Sequence, residues 1–146
     1  MCMQITSKMK IMRSSHDVFE AIVDPDKMSN YWFSSGSGKL EQGKMVTWTY
    51  KEYHADVLVK VLKVEQDKEI VISWGEEGQE TTVSFQLISQ NSATTILEVT
   101  ESGFREDDPD LVHQLLGQKE GWVYMLTCLK AYLENGTNTL RAALIH

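Results

Sequence analysis

The chain has 146 residues, 42% hydrophobic and 24% charged, a balance that suits one globular domain and excludes a disordered or fibrous chain. Its net charge of −7 argues against a nucleic-acid footprint, which needs clustered Lys and Arg, and against adsorption to anionic lipid. No apolar run approaches the roughly 20 residues of a membrane helix, and the opening MCMQITSKMK has no hydrophobic signal segment.

Residues 4–13 (QITSKMKIMR) alternate loosely, with Ile5, Met9 and Ile11 on one side, which predicts a first strand. Ser14 and Ser15 then offer a hydroxyl N-cap, with Asp17 in the first turn. Val18, Phe19 and Ile22 make one apolar stripe, so a short amphipathic helix follows. Asp24 and Pro25 pair an N-cap with a proline at the first helical position and open a second, brief helix over residues 25–31, ending at Trp32 and Phe33. SSGSGKLEQG is a loop by composition.

Five strand-like segments come next: KMVTWTYK, ADVLVKVLKVE, EIVISW, ETTVSFQLIS and TTILEVTES. Their connections are short and polar, as hairpins require, so an antiparallel meander is the economical topology. Asp107, Asp108 and Pro109 repeat the cap-plus-proline opening. Leu111, Leu115, Trp122, Leu126, Leu129 and Leu133 then recur at helical spacing, and Asn135 with Gly136 gives a C-cap signal. Such a helix of about 25 residues spans about 37 Å, enough to lie across a sheet. Cys128 sits inside this pattern as a small buried hydrophobe. Cys2 and Cys128 stand at opposite ends without metal-ligand spacing, and a reduced, cytoplasmic setting is the expectation.

Three stretches, DPDKMSNYW, TTILEVTESGF and GWVYMLTCLKAYLENG, together resemble the heat-shock protein 90 ATPase activator homologue family of the START-like (SRPBCC) helix-grip superfamily. The resemblance covers residues 4–136. It implies an α+β helix-grip fold, in which a bent antiparallel sheet of about six strands and two short helices are closed by a long C-terminal helix over the concave face, with a cavity between. Residues 1–136 would form that domain and residues 137–146 a C-terminal tail. Relatives often carry His just before SGF, where this chain has Glu101. The eukaryotic activator also has an additional N-terminal domain that this sequence does not contain.

Gly117 and Gly121 stand inside the long helix, each at a cost of about 1 kcal/mol relative to Ala. Either they let the helix approach the sheet or bend, with Trp122 filling the space below, or they mark a break between two shorter helices.

Val46, Trp48 and Tyr50 share one strand face, as do Ile70, Ile72 and Trp74, and Val83, Phe85 and Leu87. Facing the helix, these rings would line either an apolar cavity or a solid core. The candidate ligand-binding set is Trp32, Trp48, Tyr50, Trp74, Phe85, Leu97, Val99, Glu101, Trp122, Met125, Leu126 and Leu129. Glu101 shares parity with Leu97 and Val99; on a cavity wall it would bind or protonate a polar group, and otherwise it is a solvated strand-end residue. REDDPD, residues 105–110, is a solvated cap or a guard against anionic ligands.

His16, His54, His113 and His146 show no HxxxH or HExxH spacing and read as surface residues, so no metal is assigned. No GxSxG elbow or phosphate-loop pattern is present, and no catalytic residue or cofactor is named. Three functions follow in order: binding of a small hydrophobic or amphipathic molecule, a protein-interaction or co-chaperone module with a chaperone as partner, and a cyclase-like enzyme using the same cavity. The chain is expected to be a monomer or a homodimer, with no nucleic-acid or membrane partner.

Overall fold

The computed structural model describes residues 3–145; Cys2 and His146 lie outside the described residues. The elements run β1 (Met3–Ile11), α1 (Ser15–Val23), α2 (Pro25–Met28), β2 (Ser35–Gly36), β3 (Met45–Tyr50), a short 3-10 turn (Lys51–Tyr53), β4 (Ala55–Glu65), β5 (Glu69–Trp74), β6 (Thr81–Asn91), β7 (Thr94–Phe104) and α3 (Leu111–Asn135). The strands form one antiparallel sheet in the order β1-β7-β6-β5-β4-β3-β2. It is a meander from β2 to β7, with β1 added beside β7, and the architecture is the α+β helix-grip arrangement.

Local chemistry accounts for the element ends. The Ser14 hydroxyl accepts from Asp17 N–H at 3.1 Å and opens α1, whose Val18, Phe19, Ala21, Ile22 and Val23 are buried. The Asp24 carboxylate accepts from Asp26 N–H at 2.9 Å and opens α2. This helix stops at Met28 rather than Tyr31. The Asn30 side-chain amide donates to the carbonyls of Asp26 (3.0 Å) and Lys27 (3.2 Å), the acceptors that a continuing helix needs.

Two further expectations are corrected. The sheet has seven strands, because residues 35–36 of the expected loop pair with β3. Gly36 makes this pairing possible, since a Cβ there would stand 3.0 Å from Trp48 Cδ1 and 3.1 Å from Pro25 Cβ. The long helix starts at Leu111, not at the Asp108–Pro109 pair. Asp108 instead folds its own turn, its carboxylate accepting from Asp110 N–H at 2.8 Å and from the Gln114 amide at 3.1 Å.

The core lies between the sheet and the helices and includes Ile11, Phe19, Trp48, Ile70, Ile72, Phe85, Leu97 and Leu129, all at most 5% exposed. Helix α3 also protects the open edge of the sheet. Lys119 Nζ donates to the Thr6 carbonyl of β1, Lys130 Nζ to the Lys10 carbonyl at 2.7 Å, and Met12 N–H to Glu134 at 2.8 Å. Edge carbonyls held this way are withdrawn from pairing with another chain. Cys128 is a free, buried thiol, and burial pushes its pKa up. Among the described residues no helix is long and apolar enough to cross a membrane.

Gly136 caps α3 in the left-handed conformation, its N–H returning to the Tyr132 carbonyl at 2.8 Å. The tail beyond it folds back onto the domain. Tyr124 donates its hydroxyl to the Leu140 carbonyl at 2.6 Å and Tyr50 to that of Arg141. Arg141, with its side chain 12% exposed, donates to the Trp32 carbonyl at 2.8 Å and grips Glu52 through two nitrogens at 2.6 and 3.1 Å.

The Arg141 hydrogen bond lowers the Glu52 carboxyl from 4.5 to about 2. A depressed carboxyl stabilises docking fully above its ordinary value and loses the effect as pH falls through the folded value. The tail should therefore stay docked from neutral pH to about 4.5 and loosen toward about 2, as followed by the NMR signals of Arg141 and Tyr124. Arg141→Ala should free it already at pH 7.

Candidate functional site

A bulge aims two residues of β7 at the same place. Met3 of β1 pairs with Phe104 and Gln4 with Ser102, so Gly103 is the extra residue, at φ 93°. Without it, Glu101 and Phe104 would point to opposite faces. With it both are buried, Glu101 at 1% exposure and Phe104 at 9%. The glycine of the SGF triplet is required by this left-handed turn within a strand.

Glu101 is the centre of the site. Its Oε1 accepts from Trp122 Nε1 at 2.8 Å and Gln118 Nε2 at 2.9 Å. Its Oε2 accepts from Trp74 Nε1 at 3.1 Å and from the Thr81 hydroxyl. Gln118 and Trp122 lie one helical turn apart on α3 and therefore on one face. Trp74 ends β5 and Thr81 begins β6, where they are paired across the hairpin. One carboxylate thus binds three elements together. The indoles of Trp74 and Trp122 stack, with centroids 5.4 Å apart and 26° between planes, and each finds its acceptor on the same carboxylate, as buried indole N–H groups require. All four donors are neutral.

Beside this network opens a cleft of about 530 Å³. Phe33, Val57, Trp74 and Phe104 supply apolar wall, while Asp56, Gln79, Thr81, Glu101, His113, Gln114 and Gln118 supply polar groups. Helix α3 explains the opening. All its buried residues lie from Trp122 to Leu129 and none in residues 111–121, so its first three turns are packed less closely than its middle and touch the sheet through the polar side chains of Gln118 and Lys119. Gly117 faces the cleft, and a Cβ on Gly117 or Gly121 would meet nothing within 4 Å. The reading as a break between two shorter helices does not hold, nor does close approach to the sheet. The helix is unbroken through both, and the missing side chains leave space instead of permitting contact.

The cleft continues along this glycine face. A pocket of about 140 Å³ shares Trp74 and Gln118 with it and adds Trp32, Gly121 and Trp122. Another of about 120 Å³ shares Trp32 and Gly121 and reaches Tyr50, Met125 and Arg141 of the tail. The space beneath the middle of α3 is filled by rings. Trp32 is the hub, its centroid 5.0 Å from Trp48, 5.4 Å from Trp122, 5.9 Å from Trp74 and 6.1 Å from Phe85.

Of the residues singled out from the sequence, Trp74 and Glu101 line the large cleft. Trp32, Trp122, Tyr50 and Met125 line the two smaller pockets. Trp48, Phe85, Leu97, Val99, Leu126 and Leu129 are packed in the core at no more than 1% exposure. The residues that sequence reasoning missed are chiefly Phe33, Phe104, Gln114, Gly117 and Gln118. The spacing of Gln118 and Trp122, and the two glycines on an otherwise regular helix, were the available signals. Among the described residues no three His, Cys, Asp or Glu side chains are grouped to hold a metal ion.

Comparison with known proteins places this geometry in context. The family model described as Activator of Hsp90 ATPase homolog 1-like protein matches residues 13–134. The crystal structure of a protein from Staphylococcus saprophyticus is 42% identical, with a TM-score of 0.82 over 96% of this chain and 98% of that one. The solution structure of the Aha1 dimer from Colwellia psychrerythraea is 22% identical, with a TM-score of 0.76 over 92% and 98%. That of an HSP90 activator from Plasmodium falciparum, a crystal structure, is 17% identical, with a TM-score of 0.71 over 90% and 96%. The last two share the fold. No curated protein matches by sequence.

Removing the central carboxylate should be costly. Glu101→Ala leaves the Trp122 N–H without its acceptor and Trp74 with only the Thr81 hydroxyl at 3.1 Å, and we expect a loss of roughly 1–3 kcal/mol in urea unfolding, with a change in tryptophan emission as the stacked indoles separate.

Proposed function

The chain belongs to the activator of Hsp90 ATPase homolog 1-like family, and from that premise we propose that the cleft at the N-terminal end of α3 binds a small amphipathic molecule. The observation that carries this reading is the open volume of about 530 Å³, bounded by Phe33, Trp74 and Phe104 and faced by side-chain amides. Ligand sites are commonly about 300–1,000 Å³, mostly apolar, with a few convergent polar groups. Gly117 adds support. Ala would fit there, since nothing lies within 4 Å, and would favour the helix by about 1 kcal/mol. The glycine keeps the cleft wide at a cost to the helix.

The ligand's apolar body would lie between the rings, and its polar end would meet Gln118, Gln114 or Thr81. Thermal-shift measurement with a panel of lipids and aromatic metabolites tests this. Gly117→Ala should raise stability by up to about 1 kcal/mol, whereas Gly117→Phe should fold but lose the ligand-induced shift. An unchanged shift in Gly117→Phe would move the site elsewhere, and no shift with any compound would end the reading.

A second reading, an interaction module for a chaperone, has its own observation. Val112, Leu116 and Val123 are 69%, 67% and 45% exposed on the outer side of α3, at spacings of one and two helical turns. Their stripe would dock on the partner, as the structural neighbour described as an HSP90 activator suggests. Pull-down of a purified heat-shock protein 90 should succeed with the wild type and fail with Leu116→Asp; equal recovery from both would remove this stripe as the contact.

A further inference from the structure

We propose that the cleft selects an amphipathic cation, an amine with an aromatic or aliphatic body, over neutral and anionic analogues. This rests on the binding reading above and adds the charge of the ligand. Among the described residues the walls contain two carboxylates, Asp56 and Glu101, and neither Lys nor Arg, with His113 the remaining titratable group. Asp56 is engaged by the Thr49 hydroxyl at 2.7 Å, a neutral donor. Asp108, which holds Gln114 at the cleft wall, adds a third acidic group nearby.

Glu101 sets the preference. It is 1% exposed and its four partners are Trp74, Thr81, Gln118 and Trp122, none of them cationic. A carboxylate withdrawn from water and paired only with dipoles keeps an unbalanced negative potential, felt strongly in a medium of low dielectric. Phe33, Trp74 and Phe104 add aromatic wall, and aromatic rings attract cations through their faces.

The geometry also provides a route to the carboxylate. Trp74 and Trp122 are locked by their stacking at 5.4 Å, and Thr81 is held in the β5–β6 hairpin. Gln118 is half-buried, on the stretch of α3 that has no fully buried residue. Rotating its amide away from Oε1 would admit an ammonium group in its place, replacing a neutral hydrogen bond with a charge-assisted one. An anionic headgroup brought to the same spot would meet carboxylates without a compensating cation.

Calorimetry with 2-naphthylmethylamine, 2-naphthylmethanol and 2-naphthoate at neutral pH tests the proposal on the wild-type protein. The amine should bind about tenfold or more tighter than the alcohol, with the carboxylate weakest. Gly117→Phe should abolish amine binding. Equal affinities, or tighter binding of the carboxylate, would overturn the charge preference while leaving the cleft as a binding site. Failure of all three probes, with neutral or acidic panel compounds binding in a Gly117→Phe-sensitive way, would likewise overturn it and spare the broader reading. Failure of the probes and of the whole panel would remove both.

Discussion

The structure is organised around a carboxylate taken out of water. An isolated buried carboxylate is costly, and Glu101 is tolerated because both its oxygens are saturated by donors from β5, β6 and α3. That requirement positions the helix. Gln118 and Trp122 must face β7, which places the following apolar residues, Met125, Leu126 and Leu129, over the sheet. The first two turns of α3, before Gln118, have no equivalent demand on them, and there the cleft opens. Cleft and core are therefore two outcomes of one polar anchor.

Much of the fold was legible because it depends on local rules. The caps at Ser14 and Asp24, the alternation of Val46, Trp48 and Tyr50, and the helical spacing from Trp122 to Leu133 all led to the observed elements. The misplaced starts and stops arose where side chains compete for backbone groups. Asn30 ends α2 early, and Asp108 delays α3. The two-residue β2 depends on Gly36 lying against Trp48, a contact between positions that no local pattern couples.

The candidate site was less legible. Strand parity correctly put Glu101 with Leu97 and Val99, but parity gives a face and not what covers it. Trp48 and Phe85 look equivalent to Trp74 in sequence. They are sealed because Trp32 crosses from the α2 region to stand among them. Phe104 was hidden by the bulge at Gly103, which reverses the expected alternation. Gly117 and Gly121 were visible as local costs, while their reason, open space beside them, belongs to tertiary structure.

The same helix is fastened unequally on its two sides. Lys119 and Lys130 fix it to the carbonyls of β1, while its glycine face borders empty volume. Compliance under load must follow that asymmetry. A small roll of the helix about that tethered flank, once Gln118 releases Glu101, would widen the gap over Trp74 while scarcely shifting β1.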